Sequence, residues 1–192
     1  MGKESRVKGR VCPWWCAYTF DNAFRRLFHN PDNILGPYVK HGMTVLDVGC
    51  GMGYFSLWMA RAVGDEGMVI AADLQQEMLE VTMRRARRAG VASRIRPHLC
   101  ASDRIGVEGR VNFALASWMV HEVPDVEQFL REIHAIVKPG GTFLMTEPTL
   151  HVSWKTFTGE VETACEVGFR PMDSTAPLVR FSWARAFRRE GA

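Results

Sequence analysis

The sequence predicts an α/β protein with a doubly wound, mostly parallel, Rossmann-like sheet flanked by helices. From about residue 43, short apolar runs alternate with amphipathic helical runs, the pattern of right-handed strand–helix–strand units. The run "RVNFALASW" is apolar almost without interruption, as expected for a strand buried on both faces. Near the C-terminus, "FRPMDSTAP" and "LVRFSWARAF" can form two more strands, which predicts an antiparallel hairpin at the sheet edge.

Local signals define the elements in chain order. "MTVLDVG" predicts the first strand, and "GYFSLWMARAVG" predicts a helix closed by Gly64. The pattern repeats with the strand "GMVIAAD" and the helix "QQEMLEVTMRRARRAG", which ends at Gly90. "SRIRPHLCA" is the third strand, "RVNFALASW" the fourth, and "PDVEQFLREIHAIVKPGG" a helix followed by a Pro-Gly-Gly turn. "GTFLMTEP" is the fifth strand and "SWKTFTGEVETACEVG" the last helix, while Asn30-Pro31 can open a short helix near the start.

The composition is that of an ordinary globular chain. Of 192 residues, 47% are hydrophobic and 23% charged, and the net charge of +3 is too small to argue for an anionic partner. We expect the arginines of "MRRARRAG" to lie on a solvated helix face, and nucleic-acid contact is the less favoured alternative. Five cysteines, a polar start and no apolar run as long as a membrane span predict a reduced cytoplasmic protein without membrane contact.

Three glycines directly after the first strand predict a ligand site. Gly49, Gly51 and Gly53 allow a tight turn and a close approach of the backbone to a ligand. The spacing is G-x-G-x-G, whereas a dinucleotide fold requires G-x-G-x-x-G. Tyr54 and Ser56 stand where the third glycine of that motif would be, so neither frame fits a dinucleotide.

Two acids indicate the chemistry of the ligand. Asp47 precedes the glycines and suits a cationic ammonium, because a carboxylate at this position would repel a pyrophosphate. Asp73 ends the second strand, 20 residues after Gly53, where an acid accepts hydrogen bonds from ribose hydroxyls. These acids favour a ligand with a ribose, a cationic amino-acid part and no pyrophosphate, and S-adenosylmethionine has all three properties.

The chain resembles a class I S-adenosylmethionine-dependent methyltransferase over about residues 42–147. "VLDVGCGMG" is similar to the family's glycine loop, "AADLQQEML" to its ribose-binding strand, and "FALASWMVHEVPD" to its fourth strand. "CASDRIG" stands where the family has an acid near the adenine, and "VKPGGTFLMTEP" fits the turn before its fifth strand. The resemblance implies S-adenosylmethionine as the cofactor and S-adenosylhomocysteine as the product. The residues that it implies for cofactor binding are Asp47, Gly49, Gly51, Gly53, Asp73, Leu74, Asp103 and Ser117.

The resemblance also suggests a division of the single-domain chain. Residues 1–41 would form an N-terminal helical lid segment, and residues 42–192 the cofactor-binding domain. In such a lid, Trp14, Trp15 and Tyr18 could bind the substrate, since aromatic faces attract apolar groups and cations. The alternative is that they pack the segment onto the sheet.

Two histidines are the candidate catalytic bases. His121 follows the fourth strand, beside the expected position of the methyl group, and His151 follows the fifth. Glu122 and Glu147 are possible orienting partners. Methyl transfer depends mainly on alignment of the reactants, so a base is useful but not obligatory. The alternative is that His121 only bonds backbone or packs under its loop.

The cysteines predict no metal site. Cys12 and Cys16 have a C-x₃-C spacing, but no further ligands at zinc-site spacing follow. Arsenic methyltransferases hold their substrate with cysteines, which makes Cys12, Cys16 and Cys100 a minor alternative. Small buried cysteines are the ordinary interpretation.

The acceptor is narrowed by motifs that the sequence lacks. "ASWM" occupies the place of the Asn/Asp-Pro-Pro-aromatic motif of base amino-methyltransferases. No Pro-Cys pair is present to supply a nucleophile for methylation of cytosine at carbon 5. A small-molecule acceptor is therefore favoured. The alternatives are a methyltransferase acting on protein or RNA, and a non-catalytic protein that binds an adenosine ligand. The identity of the acceptor and the oligomeric state stay open.

Overall fold

A computed structural model of the protein describes residues 29–172 and 181–191. Within these ranges the chain forms one sheet with helices on both of its faces. The elements are α1 (Pro31–Leu35), β1 (Thr44–Val48), α2 (Tyr54–Val63), β2 (Met68–Asp73), α3 (Gln76–Arg88), β3 (Ile95–Leu99), β4 (Val111–Ser117), α4 (Val126–Ile136), β5 (Val137–Pro148), α5 (Trp154–Glu166), β6 (Phe169–Pro171) and β7 (Ser182–Arg189), with short 3₁₀ turns at Ala92–Arg94 and Val120–Glu122.

The strands follow the order β3-β2-β1-β4-β5-β7-β6, which confirms the predicted fold class. Strands β1 to β5 are parallel, whereas β7 pairs antiparallel with both β5 and β6. The predicted C-terminal hairpin is therefore present, and β6 forms the sheet edge. The order reverses between β1 and β4, and in open sheets of this type ligands bind at the carboxyl ends of the strands at that point.

Side-chain alternation in the central strands divides the core between the two sheet faces. On β4, Phe113 and Leu115 pack with the face covered by α1, α2 and α3. Ala114 and Ala116 belong to the opposite core, which α4 and α5 cover. Every one of these four side chains is buried, which confirms that β4 is covered on both faces.

The start of the described chain follows its local signals. Asn30 caps α1, with its side-chain Oδ1 accepting the Asp32 N–H at 3.0 Å, and Pro31 occupies the first turn, as the Asn-Pro pair predicts. Ile34 and Leu35 are buried in the core on the α2 side. Trp14, Trp15 and Tyr18 lie outside the described residues, so the lid stays a prediction.

The Pro-Gly-Gly turn differs from its prediction in one respect. It lies inside β5 rather than before it, because Val111 pairs with Val137 and Phe113 then pairs with Thr142. The strand pairing thus begins before the turn and resumes after it, with the residues between them looped out. No helix in the described part of the chain is both long and apolar enough to cross a membrane.

Candidate active site

The glycine loop, residues 49–53, connects β1 to α2 at the point where the strand order reverses. Gly49, Gly51 and Gly53 have φ angles of +69°, +53° and +80°, in the left-handed region that glycine adopts most readily. A Cβ at Gly49 would lie 2.7 Å from Met119 Cγ, and one at Gly53 would lie 2.7 Å from Thr82 Cγ2. A Cβ at Gly51 would meet nothing within 4 Å, so the middle glycine borders open space.

Helix α3 holds the glycine loop in this shape. Thr82 donates its hydroxyl hydrogen to the Gly51 carbonyl at 2.9 Å, and Arg85 donates to the Met52 carbonyl at 3.1 Å. Arg85 thus contacts the loop, although the run of arginines around it is predicted to be a solvated face. Arg84, Arg87 and Arg88 are exposed, as predicted for a solvated helix face.

Asp73 at the end of β2 lies directly beside the glycine loop. Its Oδ2 accepts the Gly51 N–H at 2.8 Å, and its Oδ1 accepts the Gln75 N–H at 2.9 Å. The side chain is nearly buried, and this burial raises the pKa of the carboxyl, while the backbone N–H donors oppose the shift. Each carboxylate oxygen has a second lone pair that a ligand hydroxyl can use. Leu74 follows and is exposed.

The other predicted cofactor residues lie at the same edge of the sheet. Asp47 is buried on β1, where its carboxylate accepts the hydroxyl proton of Ser56 at the start of α2. Ser117 ends β4 and accepts a hydrogen bond from Thr146 at 2.9 Å. Asp103 is exposed in the turn after β3, and its backbone carbonyl accepts a hydrogen bond from Gln128.

On the other side of the strand reversal, His121 and Glu147 form a close pair. His121 lies in the 3₁₀ turn after β4, and its ring Nδ1 hydrogen-bonds to Glu147 Oε2. Glu147 ends β5, is fully buried, and accepts the Val120 N–H through Oε1 at 2.7 Å. This hydrogen bond to Glu147 raises the pKa of His121, against the effect of partial burial. The predicted orienting role of Glu147 is thus matched by a direct contact.

Helix α5 brings a second acidic side chain to this pair, one that the sequence did not single out. Glu160 is 6% exposed, and its Oε2 is buried with no hydrogen-bond partner among the described residues. Burial, then the charge of Glu147, raise the pKa of Glu160 to about 7, and His121 opposes the shift. We call His121, Glu147 and Glu160 the histidine–glutamate cluster. A sequence signal existed: Glu160 falls at helical spacing between buried Phe157 and Ala164.

Two strained residues flank the cluster. Trp118 has a φ of +62°, unusual for a bulky residue, and its indole Nε1 donates to Ser182 Oγ at 2.7 Å. Phe181, which enters β7, has a φ of +60°. Backbone strain of this kind tends to collect at functional sites. No sequence signal indicated either conformation.

The remaining candidates are not brought together. His151 is exposed in the turn after β5, and no hydrogen bond or ion pair links its ring to the described residues. Cys12 and Cys16 lie outside those residues. Burial raises the pKa of Cys100 to about 12, which keeps its thiol protonated and a poor metalloid ligand.

Comparison with known proteins agrees with this architecture. A family model described as a methyltransferase domain matches residues 45–141, half of the chain. The chain belongs to the methyltransferase-domain family. The family resemblance noted in the sequence is thereby confirmed, and the matched residues include the glycine loop, Asp73 and His121.

Relatives and solved structures extend the comparison. The chain is 31% identical, over 57% of its length and 42% of the relative, to a ubiquinone/menaquinone biosynthesis C-methyltransferase from Haemophilus ducreyi. It is 32% identical, over 54% of its length and 44% of the relative, to a demethylmenaquinone methyltransferase from Listeria welshimeri. The chain therefore matches less than half the length of either relative. A SAM-dependent methyltransferase from Aquifex aeolicus has the same fold, with a TM-score of 0.82, 21% identity, and coverage of 93% of this chain and all of that one.

Proposed function

We propose that this chain is a S-adenosylmethionine-dependent methyltransferase that transfers a methyl group to a small molecule. The observation that carries the proposal is the hydrogen bond from the Gly51 N–H to the Asp73 carboxylate. A buried carboxylate there accepts the N–H of a glycine whose missing side chain borders open space. Backbone can approach a ligand closely at such a glycine, and the acid beside it can accept hydroxyl hydrogens.

The residues present fit the cofactor. Asp73 would accept hydrogen bonds from the ribose, and Gly49, Gly51 and Gly53 would let the backbone lie against the ligand. Asp47 lies below the loop and would stabilise a cationic ammonium end through its negative charge. Leu74, Asp103 and Ser117, at the ends of β2, β3 and β4, would border the rest of the ligand. When bound, S-adenosylmethionine supplies an activated methyl group on a sulfonium.

The chain's own contribution is to align an acceptor behind that methyl group and to exclude water. Holding two reactants in a productive geometry can contribute on the order of 7–11 kcal/mol to the barrier of such a displacement. We infer a small-molecule acceptor because one relative is named for ubiquinone/menaquinone biosynthesis and the other as a demethylmenaquinone methyltransferase. The sequence also lacks the motif of base amino-methyltransferases. We also infer a reduced, cytoplasmic setting, in keeping with free thiols at Cys50, Cys100 and Cys165.

Thermal unfolding with added ligand tests the cofactor. S-adenosylmethionine, S-adenosylhomocysteine and NAD are added separately at about 100 times the dissociation constant, which contributes about 2.7 kcal/mol to the stability of a protein that binds. We expect the melting temperature to rise by roughly 5–10 °C with the two sulfur ligands. NAD should leave it unchanged. A rise with NAD alone would overturn the proposal.

Asp73→Asn tests the residue that carries the proposal. Asparagine keeps the shape and one oxygen acceptor, so the backbone contact is partly retained while the charge is lost. Hydrogen bonds to charged groups are worth about 1.5–3 kcal/mol, so calorimetry should show S-adenosylmethionine affinity falling roughly 10–100-fold. The matched control is Asp65→Asn, an exposed acid paired with Arg94 far from this edge. Equal affinity in both variants would remove Asp73 from the site.

A further inference from the structure

We propose that the methyl acceptor is a hydroxyl compound with an acidic proton, a phenol or an enol, and that the histidine–glutamate cluster accepts this proton. The inference rests on the proposed function and names the acceptor class of the same site. It assigns His121 as the catalytic base and Glu147 and Glu160 as positioning residues. Three observations and one chemical argument carry it.

The first observation is the orientation of the His121 ring. Nδ1 bonds to the buried Glu147 carboxylate, so in the neutral ring the hydrogen sits on Nδ1 and the lone pair on Nε2. Within residues 29–172 and 181–191, no hydrogen bond engages Nε2. The His121 side chain is 24% exposed, so a ligand can reach it. The ring is thus held with an accepting nitrogen available.

The second observation is that the Glu147 carboxylate is engaged by protein donors and shielded from solvent. One of its oxygens accepts from Val120 N–H and the other from His121, and the residue is fully buried. The Glu147 carboxylate then stabilises a positive charge that develops on the His121 ring, in the manner of the acid in a catalytic triad.

The third observation is the position of Glu160. It faces Glu147 and His121 from α5, with one buried oxygen that no described residue satisfies. A second full negative charge beside Glu147 is costly, so Glu160 holds a proton while His121 is neutral. Once His121 is cationic, Glu160 can ionise. The cluster therefore keeps its net charge while one proton passes to solvent in each turnover.

The fourth step is chemical. A carboxylate acceptor is already ionised at neutral pH, and a neutral amine already presents a lone pair, so neither requires a dedicated base. A phenol or enol becomes a strong nucleophile only when its proton leaves, and a histidine is well matched to that task. The acceptor oxygen forms the new bond to carbon, and the carbon–sulfur bond breaks with its electron pair on sulfur. The hydroxyl proton passes to His121 Nε2.

The pH dependence of turnover is set by the charged groups around His121. Three acids face His121: Glu147, the neighbouring Glu122, and Glu160 from α5. All three raise the pKa of its ring, and partial burial lowers it. We therefore expect turnover to rise with pH through a value above the ordinary histidine pKa, since the neutral ring is the base.

The first experiment measures the acceptor class. Phenol and 1-naphthol are each paired with the analogue in which hydrogen replaces the hydroxyl, benzene and naphthalene, and aromatic amines are added to the panel. Transfer of a radiolabelled methyl group should occur only to hydroxyl members and yield a methyl ether. Transfer to the analogues or amines, or to no hydroxyl member by a protein that binds S-adenosylmethionine, would overturn the proposal. A wild-type chain that binds neither sulfur ligand instead overturns the proposed function.

The second experiment separates the base from its supports. His121→Asn keeps a donor toward Glu147 and lacks the accepting nitrogen, so turnover should fall roughly 10²–10⁴-fold with cofactor affinity unchanged. Glu160→Gln should lower turnover less, roughly tenfold. It should also lower the His121 pKa measured by NMR titration without acceptor, because one of the facing acids is removed. The control Glu162→Gln lies exposed on the same helix and should change neither value. Equal His121 titration in the wild type, Glu160→Gln and Glu162→Gln would remove Glu160 from the cluster.

Discussion

The glycine loop and the histidine–glutamate cluster lie on opposite sides of the strand reversal and are built in different ways. The loop, with Asp73, uses backbone: left-handed glycines and N–H donors that all lie between residues 49 and 75. The cluster uses side chains that come from the turn after β4, from β5 and from α5, and that meet only after the sheet has assembled. The first region depends on conformational freedom, and the second on buried charge.

If the loop depends on backbone conformation, replacing a glycine whose added Cβ would overlap a neighbour should have the largest effect on stability. Gly49→Ala places a Cβ against Met119 and requires a left-handed alanine. The conformation costs roughly 1–2 kcal/mol and the overlap roughly 1–3 kcal/mol, so we expect unfolding free energy to fall by about 2–5 kcal/mol. Urea unfolding measures this. A loss below about 1 kcal/mol would mean that Met119 moves aside freely.

For the histidine–glutamate cluster, we expect instead that the free energy of unfolding depends on pH. Folding raises the Glu160 pKa to about 7, so the folded state binds this proton more tightly than the unfolded state. That stability is present below the ordinary glutamate pKa and is lost as pH rises through about 7. A glutamine at this position is neutral at every pH, so the variant loses no stability from this side chain as the pH rises.

Glu160→Gln should therefore be more stable than the wild type at pH 8, by up to roughly 3 kcal/mol, although it is less active. At pH 4 the two proteins should unfold at similar urea concentrations. Glu162→Gln serves as the control, since that side chain is exposed on the same helix. A stability difference that stays constant from pH 4 to pH 8 would show that Glu160 does not change its protonation on folding.

The same contrast explains what the sequence could predict. The glycine spacing, Asp47 and Asp73 are close in the chain, and their roles follow from turn geometry and from the end of a strand, so local patterns suffice. The strands also follow from local patterns, as the burial of β4 on both faces confirms. The predicted position of the turn at 138–141 was wrong. The change of register within β5 depends on its pairing with β4, which local sequence patterns do not show.

The cluster was predictable only in part, since it depends on contacts between distant segments. His121 and Glu147 were candidates because each follows a strand, but their hydrogen bond requires β4 and β5 to be neighbours. Glu160 is one of three acids on α5, and its burial beside Phe157 is visible as helical spacing without any indication of what it faces. His151 also follows a strand yet lies exposed in the turn between β5 and α5.

The substitution with the smallest expected effect on stability tests whether the glycine loop binds a ligand or only forms a turn. Gly51→Ala and Gly90→Ala are matched, since both have positive φ and neither Cβ would meet an atom within 4 Å. Each should cost about 1–2 kcal/mol of unfolding free energy for the left-handed alanine. If the open space at Gly51 is where the cofactor lies, only Gly51→Ala should lose S-adenosylmethionine affinity in calorimetry. Equal affinity would mean that the glycines serve the fold alone, and that recognition depends on Asp73 and its neighbours.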